Sequence, residues 1–284
     1  MQKITFVLKH KNKKYIRLFT IVLLLIFLAD SSAFALDPMG PTTASLKMDE
    51  IMIGFDYTSS TMDIELNNGT YSNYPDPDSE KPPAGEAESF KLKDFEMNKI
   101  YANFGYGIWE GCELFLRLGG VSTEFGDSIW EAGEEFDSNT NFTFCIGSRA
   151  TFYDAGDFKI GRLIQVSWAN IDGDLKAPQW TEADSVEMDL MEIQIAIGPT
   201  FTSPNGNSTI YGGPFFHFVD GEIEDKFTLG PGVNPEFIWD IDESSTFGGY
   251  LGAQMYIAQN TFFNIEYQHT SGASALGLSL LWRF

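Results

Sequence analysis

Cysteine is nearly absent from this chain: Cys112 and Cys145 are the two in 284 residues. Their separation fits neither a zinc-ligand pair nor a thioredoxin motif. Histidine is almost as scarce, and beyond residue 35 there are just His217 and His269. Basic side chains are few, 18 Lys and Arg against 40 Asp and Glu. A surface of that sign repels phosphates, which argues against nucleic acid as a partner. There is no Gly-x-Ser-x-Gly, Walker loop, His-Glu-x-x-His or dinucleotide fingerprint. No catalytic residue is therefore assigned, and no enzyme activity, cofactor or metal site is expected. Past the N-terminal segment, charges or glycines interrupt every apolar stretch. None approaches the roughly 20 residues of a membrane-spanning helix.

The N-terminal segment itself reads as a leader. Lys3, Lys9, Lys11, Lys13, Lys14 and Arg17 precede an apolar run from Leu18 to Ala29, and Ala33-Phe34-Ala35 has the small-x-small form of a signal-peptidase site. The expectation is a cleaved export signal over 1–35 with Leu36 as the mature N-terminus. What remains carries 12 basic and 39 acidic side chains, a net of −27. With 43% hydrophobic and 15% aromatic residues the chain is too apolar for disorder. Abundant aromatics and 27 glycines suit strands and turns.

Alternation at every second residue predicts ten strands, near 49–58, 97–108, 112–120, 141–152, 158–168, 188–201, 209–219, 247–257, 262–269 and 276–284. Ile51, Ile53, Phe55 and Tyr57, for instance, alternate with Met52, Gly54 and Asp56. Every second connection is a short turn, whereas 59–94, 121–140, 169–187 and 220–246 are long. That asymmetry is the pattern of an all-β, antiparallel, up-and-down transmembrane barrel with short periplasmic turns and long outer loops. Ten strands is the expectation, with eight or twelve as alternatives. A soluble barrel, with apolar side chains inward, is the competing architecture.

The last strand carries the more specific signal. Leu276, Leu278, Leu280, Trp282 and Phe284 share one face, and Gly277, Ser279, Leu281 and Arg283 share the other. A terminal Phe in such a strand resembles the C-terminal assembly signal of bacterial outer-membrane β-barrels. Ala102-Asn103-Phe104-Gly105-Tyr106-Gly107-Ile108 followed by Glu113-Leu114-Phe115-Leu116-Arg117-Leu118-Gly119 resembles the repeated hairpin of outer-membrane β-barrel domain proteins. The resemblance implies the bacterial outer membrane as location. It implies as partners the lipid bilayer, the barrel-assembly machinery and periplasmic chaperones. It implies no substrate and carries over no functional residue.

The inward face of these strands would collect Asp56, Lys99, Arg117, Arg149, Glu192, His217, Glu266 and Arg283. Mixed signs at this density would pair across a narrow lumen, and small barrels are filled by their own side chains. The expected role is structural or surface-interacting. A narrow porin-like diffusion channel is the alternative, and a rim-located hydrolase using His217 is the third reading. Omptin proteases suggest that third reading, but their Asp-x-His spacing is missing, since Phe215 and Tyr267 stand two before the histidines. The long loops are acidic, and Tyr71, Tyr74, Trp130, Trp180 and Trp239 fall in them. Surface glycan or divalent cations are the partners such loops would suit. Cys112 in a turn and Cys145 well up the neighbouring strand stand too far apart for a disulfide.

Overall fold

The computed structural model describes residues 36–72, 90–126, 135–176, 184–226, 236–243 and 246–284. The expected leader, Tyr74, Trp130 and Trp180 lie outside the described residues. Among the described residues twelve strands follow in order: β1 (Ile51–Ser72), β2 (Phe90–Trp109), β3 (Cys112–Gly126), β4 (Glu135–Ser138), β5 (Asn141–Asp154) and β6 (Phe158–Lys176). The second half contributes β7 (Asp184–Thr202), β8 (Ser208–Lys226), β9 (Glu236–Glu243), β10 (Phe247–Ala258), β11 (Thr261–Thr270) and β12 (Ala273–Arg283). Each pairing is antiparallel, and β12 returns to β1 to close the ring, with Met52 opposite Arg283 and Met62 opposite Ala273.

The ring is not the same throughout its height. At the lower level the wall is β1, β2, β3, β5, β6, β7, β8, β10, β11 and β12, the ten strands read from the alternation. At the upper level it is β1, β2, β3, β4, β6, β7, β8 and β9, an eight-stranded continuation. β4 sits above β5 in the same lane between β3 and β6. β9 sits above β10 beside β8 and bridges directly to β1, because the β11–β12 hairpin turns back at 271–272. The register of β1 against β2 slips between Met62 and Ile64 at this same level, with Asp94 at φ +56°. A bulge there bends the wall where two lanes are lost.

The side-chain pattern inverts across that level. Below it, Ile53, Phe55, Leu116, Ile146 and Ile197 point outward and are exposed, and the polar side chains point in. Above it, Met62, Ile64, Phe95, Ile171, Met188 and Ile223 are buried inside, while Glu65, Glu124, Asp172, Glu187, Asp189 and Glu222 face out. Phe125 stacks on Phe136 at 4.5 Å and on Phe95 at 5.6 Å within that upper core. Hydrocarbon surrounds the lower wall and water the upper one, so each level turns its apolar face away from water. The lower belt is edged by aromatics, with Phe144 on Trp168 at 4.8 Å above and Phe158 on Phe201 at 4.8 Å below. Such girdles mark the two membrane interfaces of a barrel.

The long loops expected at 59–94, 121–140, 169–187 and 220–246 are therefore corrected. Much of each is strand: β1 runs on to Ser72, β3 to Gly126, β6 to Lys176 and β8 to Lys226. About 9–11 residues cross a bilayer, and the 22 of β1 exceed that twofold. Glu124, Glu135 and Asp137 stand on strands. Trp239 lies inside the upper core instead of on a loop. In these extensions the apolar residues alternate in the opposite phase to the lipid-facing pattern below: Met62 and Ile64 point inward on the strand where Ile53 and Phe55 point outward. Membrane and soluble barrel were competing expectations, and the structure stacks one on the other.

Candidate functional site: a strapped polar lumen

Residues 36–46 lie inside the lower barrel. Their composition, Leu-Asp-Pro-Met-Gly-Pro-Thr-Thr-Ala-Ser-Leu, is a poor strand: two prolines lack an N–H, and Gly40 takes φ +69°. The segment runs up the lumen as a strap from an exposed turn at 47–49, where the backbone amide of Asp49 donates to the Gly107 carbonyl at 2.9 Å. Leu36 to Thr43 are all buried.

Wall side chains hold the strap's backbone. Glu266 accepts the amides of Met39 and Gly40, one on each carboxylate oxygen, both at 2.8 Å. Glu113 accepts those of Ser45 and Leu46 at 2.8 and 2.9 Å. Thr151 accepts from Ala44 at 3.0 Å. In the other direction, Arg149 donates to the Met39 carbonyl at 2.6 Å, Gln268 to that of Asp37 at 2.7 Å, and Thr58 to that of Leu36 at 3.0 Å. Buried backbone groups need such partners, and an extended segment with no neighbouring strand must find them in side chains.

The charges that line the wall are largely satisfied by one another. Lys99 contacts Glu192 and stands 3.1 Å from Asp37 of the strap. Glu192 also meets His217 at 3.3 Å. Arg117 lies 2.7 Å from Asp56 and donates to Gln165 at 3.1 Å. Gln165 bonds Gln194, and Gln194 donates to Gln268 at 3.0 Å, which carries the network on to the strap. Arg149 donates to Glu113 at 2.8 Å. The Phe115 ring takes the guanidinium carbons of Arg117 and Arg149 at 4.7 and 4.4 Å. Arg149–Glu113 and His217–Glu192 join adjacent strands, Arg117 reaches Asp56 past β2, and Lys99 on β2 spans the lumen to Glu192 on β7.

Of the eight lumen residues read from the sequence, Asp56, Lys99, Arg117, Arg149, Glu192, His217 and Glu266 are buried in the interior. Arg283 departs from the rest. It is half-buried at the lower mouth, 3.9 Å from Glu50, and reaches the Ser45 carbonyl at 3.3 Å. Glu266 also departs from charge pairing, since its bonds go to strap amides and to Gln268 at 2.7 Å. Glu113 was missed, although it shares the face of Phe115 and Arg117 and extending the alternation by one step would have found it. Asp37 and the strap were missed because nothing periodic marks them. Of the assembly-signal residues, Leu276, Leu278, Leu280, Trp282 and Phe284 all lie on the outer face of β12 and the chain end that follows it. His269 is exposed on the outside beside Tyr267, so the two histidines lie on opposite faces of the wall.

A closed antiparallel barrel with an apolar outer belt, aromatic girdles and a polar interior is an outer-membrane β-barrel. No protein-family model matches the chain, and no curated protein matches it significantly. Solved structures similar to it are outer-membrane barrels. The translocator domain of the autotransporter NalP from Neisseria meningitidis aligns at 10% identity over 96% of this chain and 98% of its own, with a TM-score of 0.43. OprG from Pseudomonas aeruginosa aligns at 10% identity over 84% and 97%, with a TM-score of 0.46. The outer membrane protease OmpT from Escherichia coli aligns at 9% identity over 87% and 98%, with a TM-score of 0.44. At this level of likeness the neighbours' individual activities say nothing about this chain.

Proposed function

We propose that this protein is a closed, non-conducting outer-membrane barrel with a structural and surface-interacting role. The observation that carries this reading is the strap: the path an ion would follow through the ten-stranded level is occupied by residues 36–46. Above it, the eight-stranded level is filled with apolar side chains. That upper level stands in water beyond the bilayer and presents an acidic wall. Carboxylates face each other across its strands, Asp189 opposite Glu222 and Glu222 opposite Asp240. Like charges so placed repel, which favours cationic contacts such as divalent ions or cation-bridged surface glycan. No three acidic, histidine or cysteine side chains converge into a metal-ligating group among the described residues, so such ions would act as counter-ions.

We infer no catalytic role. His217 is fully buried and its partner Glu192 is engaged by Lys99, so a substrate at the outer rim has no route to the pair.

Single-channel recording on the mature chain, residues 36–284, refolded into planar bilayers tests the proposal. Folding is first checked by heat-modifiable mobility. A folded, silent barrel is expected. Reproducible conductance steps that respond to charge reversal at Arg117 or Glu192 would establish the narrow-channel reading in its place.

A further inference from the structure

We propose that the membrane lumen is a binding site for an extended peptide, and that the chain's own residues 36–46 are its resident ligand, held in cis through their backbone. The recognition is directed at main-chain atoms. Two buried carboxylates, Glu266 and Glu113, each accept a pair of successive amides. Arg149, Gln268 and Thr58 donate to three carbonyls. That arrangement reads an extended strand and is indifferent to most side chains, as the edge of a sheet is when it accepts an added strand.

Two features set the requirement on the ligand. Position 40 needs glycine: its φ is +69°, and an added Cβ would stand 3.2 Å from Nη2 of Arg149. Position 37 needs an acid to meet Lys99 and to accept from Tyr101 at 2.9 Å. The prolines at 38 and 41 fall beside these anchor points and remove two donors that the lumen would otherwise have to satisfy. The wall is equally committed. Glu266 is buried, and its oxygens are occupied by the two strap amides and Gln268. Without the strap it would be a buried carboxylate deprived of both its backbone donors, which is costly. The lumen is built around a peptide.

The test severs the strap in the folded protein. Lys47, Met48 and Asp49 are exposed at the lower mouth, so a recognition site for a sequence-specific protease can be inserted between Met48 and Asp49 of the full mature chain. After folding and cleavage, mass spectrometry follows how long the freed N-terminal fragment stays with the barrel during detergent gel filtration. The fragment is expected to remain bound. Its release should accelerate by roughly tenfold or more in Glu266→Gln and in Glu113→Gln, as for loss of a charge-assisted hydrogen bond. The Gln amide also opposes a donor to one strap N–H. If either variant fails to fold, Thr151→Val removes the single acceptor of Ala44 without touching a charge and should give a smaller acceleration. Immediate loss of the fragment from a barrel that keeps its folded mobility would overturn the proposal. So would release that ignores all three substitutions, because apolar trapping would then suffice. Conductance of the uncut chain would refute the closed-barrel reading without bearing on fragment retention, so the two failures are distinguishable.

Discussion

Arg149 donates from Nη1 to Oε1 of Glu113 at 2.8 Å, and each of the two side chains also bonds the strap. One ion pair thus joins β5 to β3 and fastens the N-terminal segment to both.

Removing one member leaves the other buried and unpaired. Glu113→Ala should destabilise the folded barrel by about 3–5 kcal/mol, the cost of breaking a buried pair. Equilibrium urea unfolding in lipid vesicles measures it. A change below about 1 kcal/mol would mean that water reaches Arg149 and the lumen is open.

Gly107 is where the strap's entry turn presses on the wall. A Cβ there would sit 1.8 Å from the carbonyl oxygen of Lys47. Gly107→Val should push the 47–49 turn outward and speed tryptic cleavage after Lys47, with the barrel otherwise resistant. An unchanged cleavage pattern would show that the turn does not rest on Gly107.

The inversion of the wall predicts opposite outcomes on its two levels. Leu116→Arg, on the lipid face, should cost about 2–4 kcal/mol. Ile171→Asp, inside the upper core, should be severely destabilising, because it buries an unpaired charge. Asp172→Asn next to it, on the outer face, should change stability by no more than about 0.5 kcal/mol. Unfolding in vesicles compares the three, and equal effects at 171 and 172 would contradict an apolar upper core.

The cysteines report on burial without unfolding the protein. Cys145 is fully buried opposite Arg117, whereas Cys112 is half-buried opposite Ala150. In the folded barrel a maleimide should label Cys112 alone, and Cys145 should react after denaturation. Labelling of Cys145 in the native state would reveal a water path through the lumen.

At the lower turn, Lys159 at 2.8 Å and the Gly156 amide hold the Asp154 carboxyl below its ordinary pKa of 3.8. A depressed carboxyl stabilises the fold above its unfolded pKa, and that contribution fades as pH falls through the lower folded value. Lys159→Met should therefore raise the Asp154 pKa toward 3.8, as read by a carboxyl-resolved NMR titration. An unmoved value would assign the effect to the Gly156 amide.

The ten membrane lanes, their inward and outward faces and seven of the buried lumen residues were legible in the amino-acid sequence. The physical reason is local: in a strand each residue's face follows from its neighbour's, and lipid outside demands an apolar residue at every second place. The upper continuation is a different case: it reads as long loops, although Met62, Ile64 and Leu66 alternate with Asp63, Glu65 and Asn67. What alternation cannot say is which side of the wall is wet. That follows from closure: where β9 stands beside β1 in place of β10 to β12 the ring has eight strands, and a barrel that narrow is filled by its own side chains. The strap was decided wholly by the tertiary structure. Its place depends on acceptors from Glu113, Thr151 and Glu266, brought within reach of one segment when the ring closes, and no local pattern in residues 36–46 encodes them.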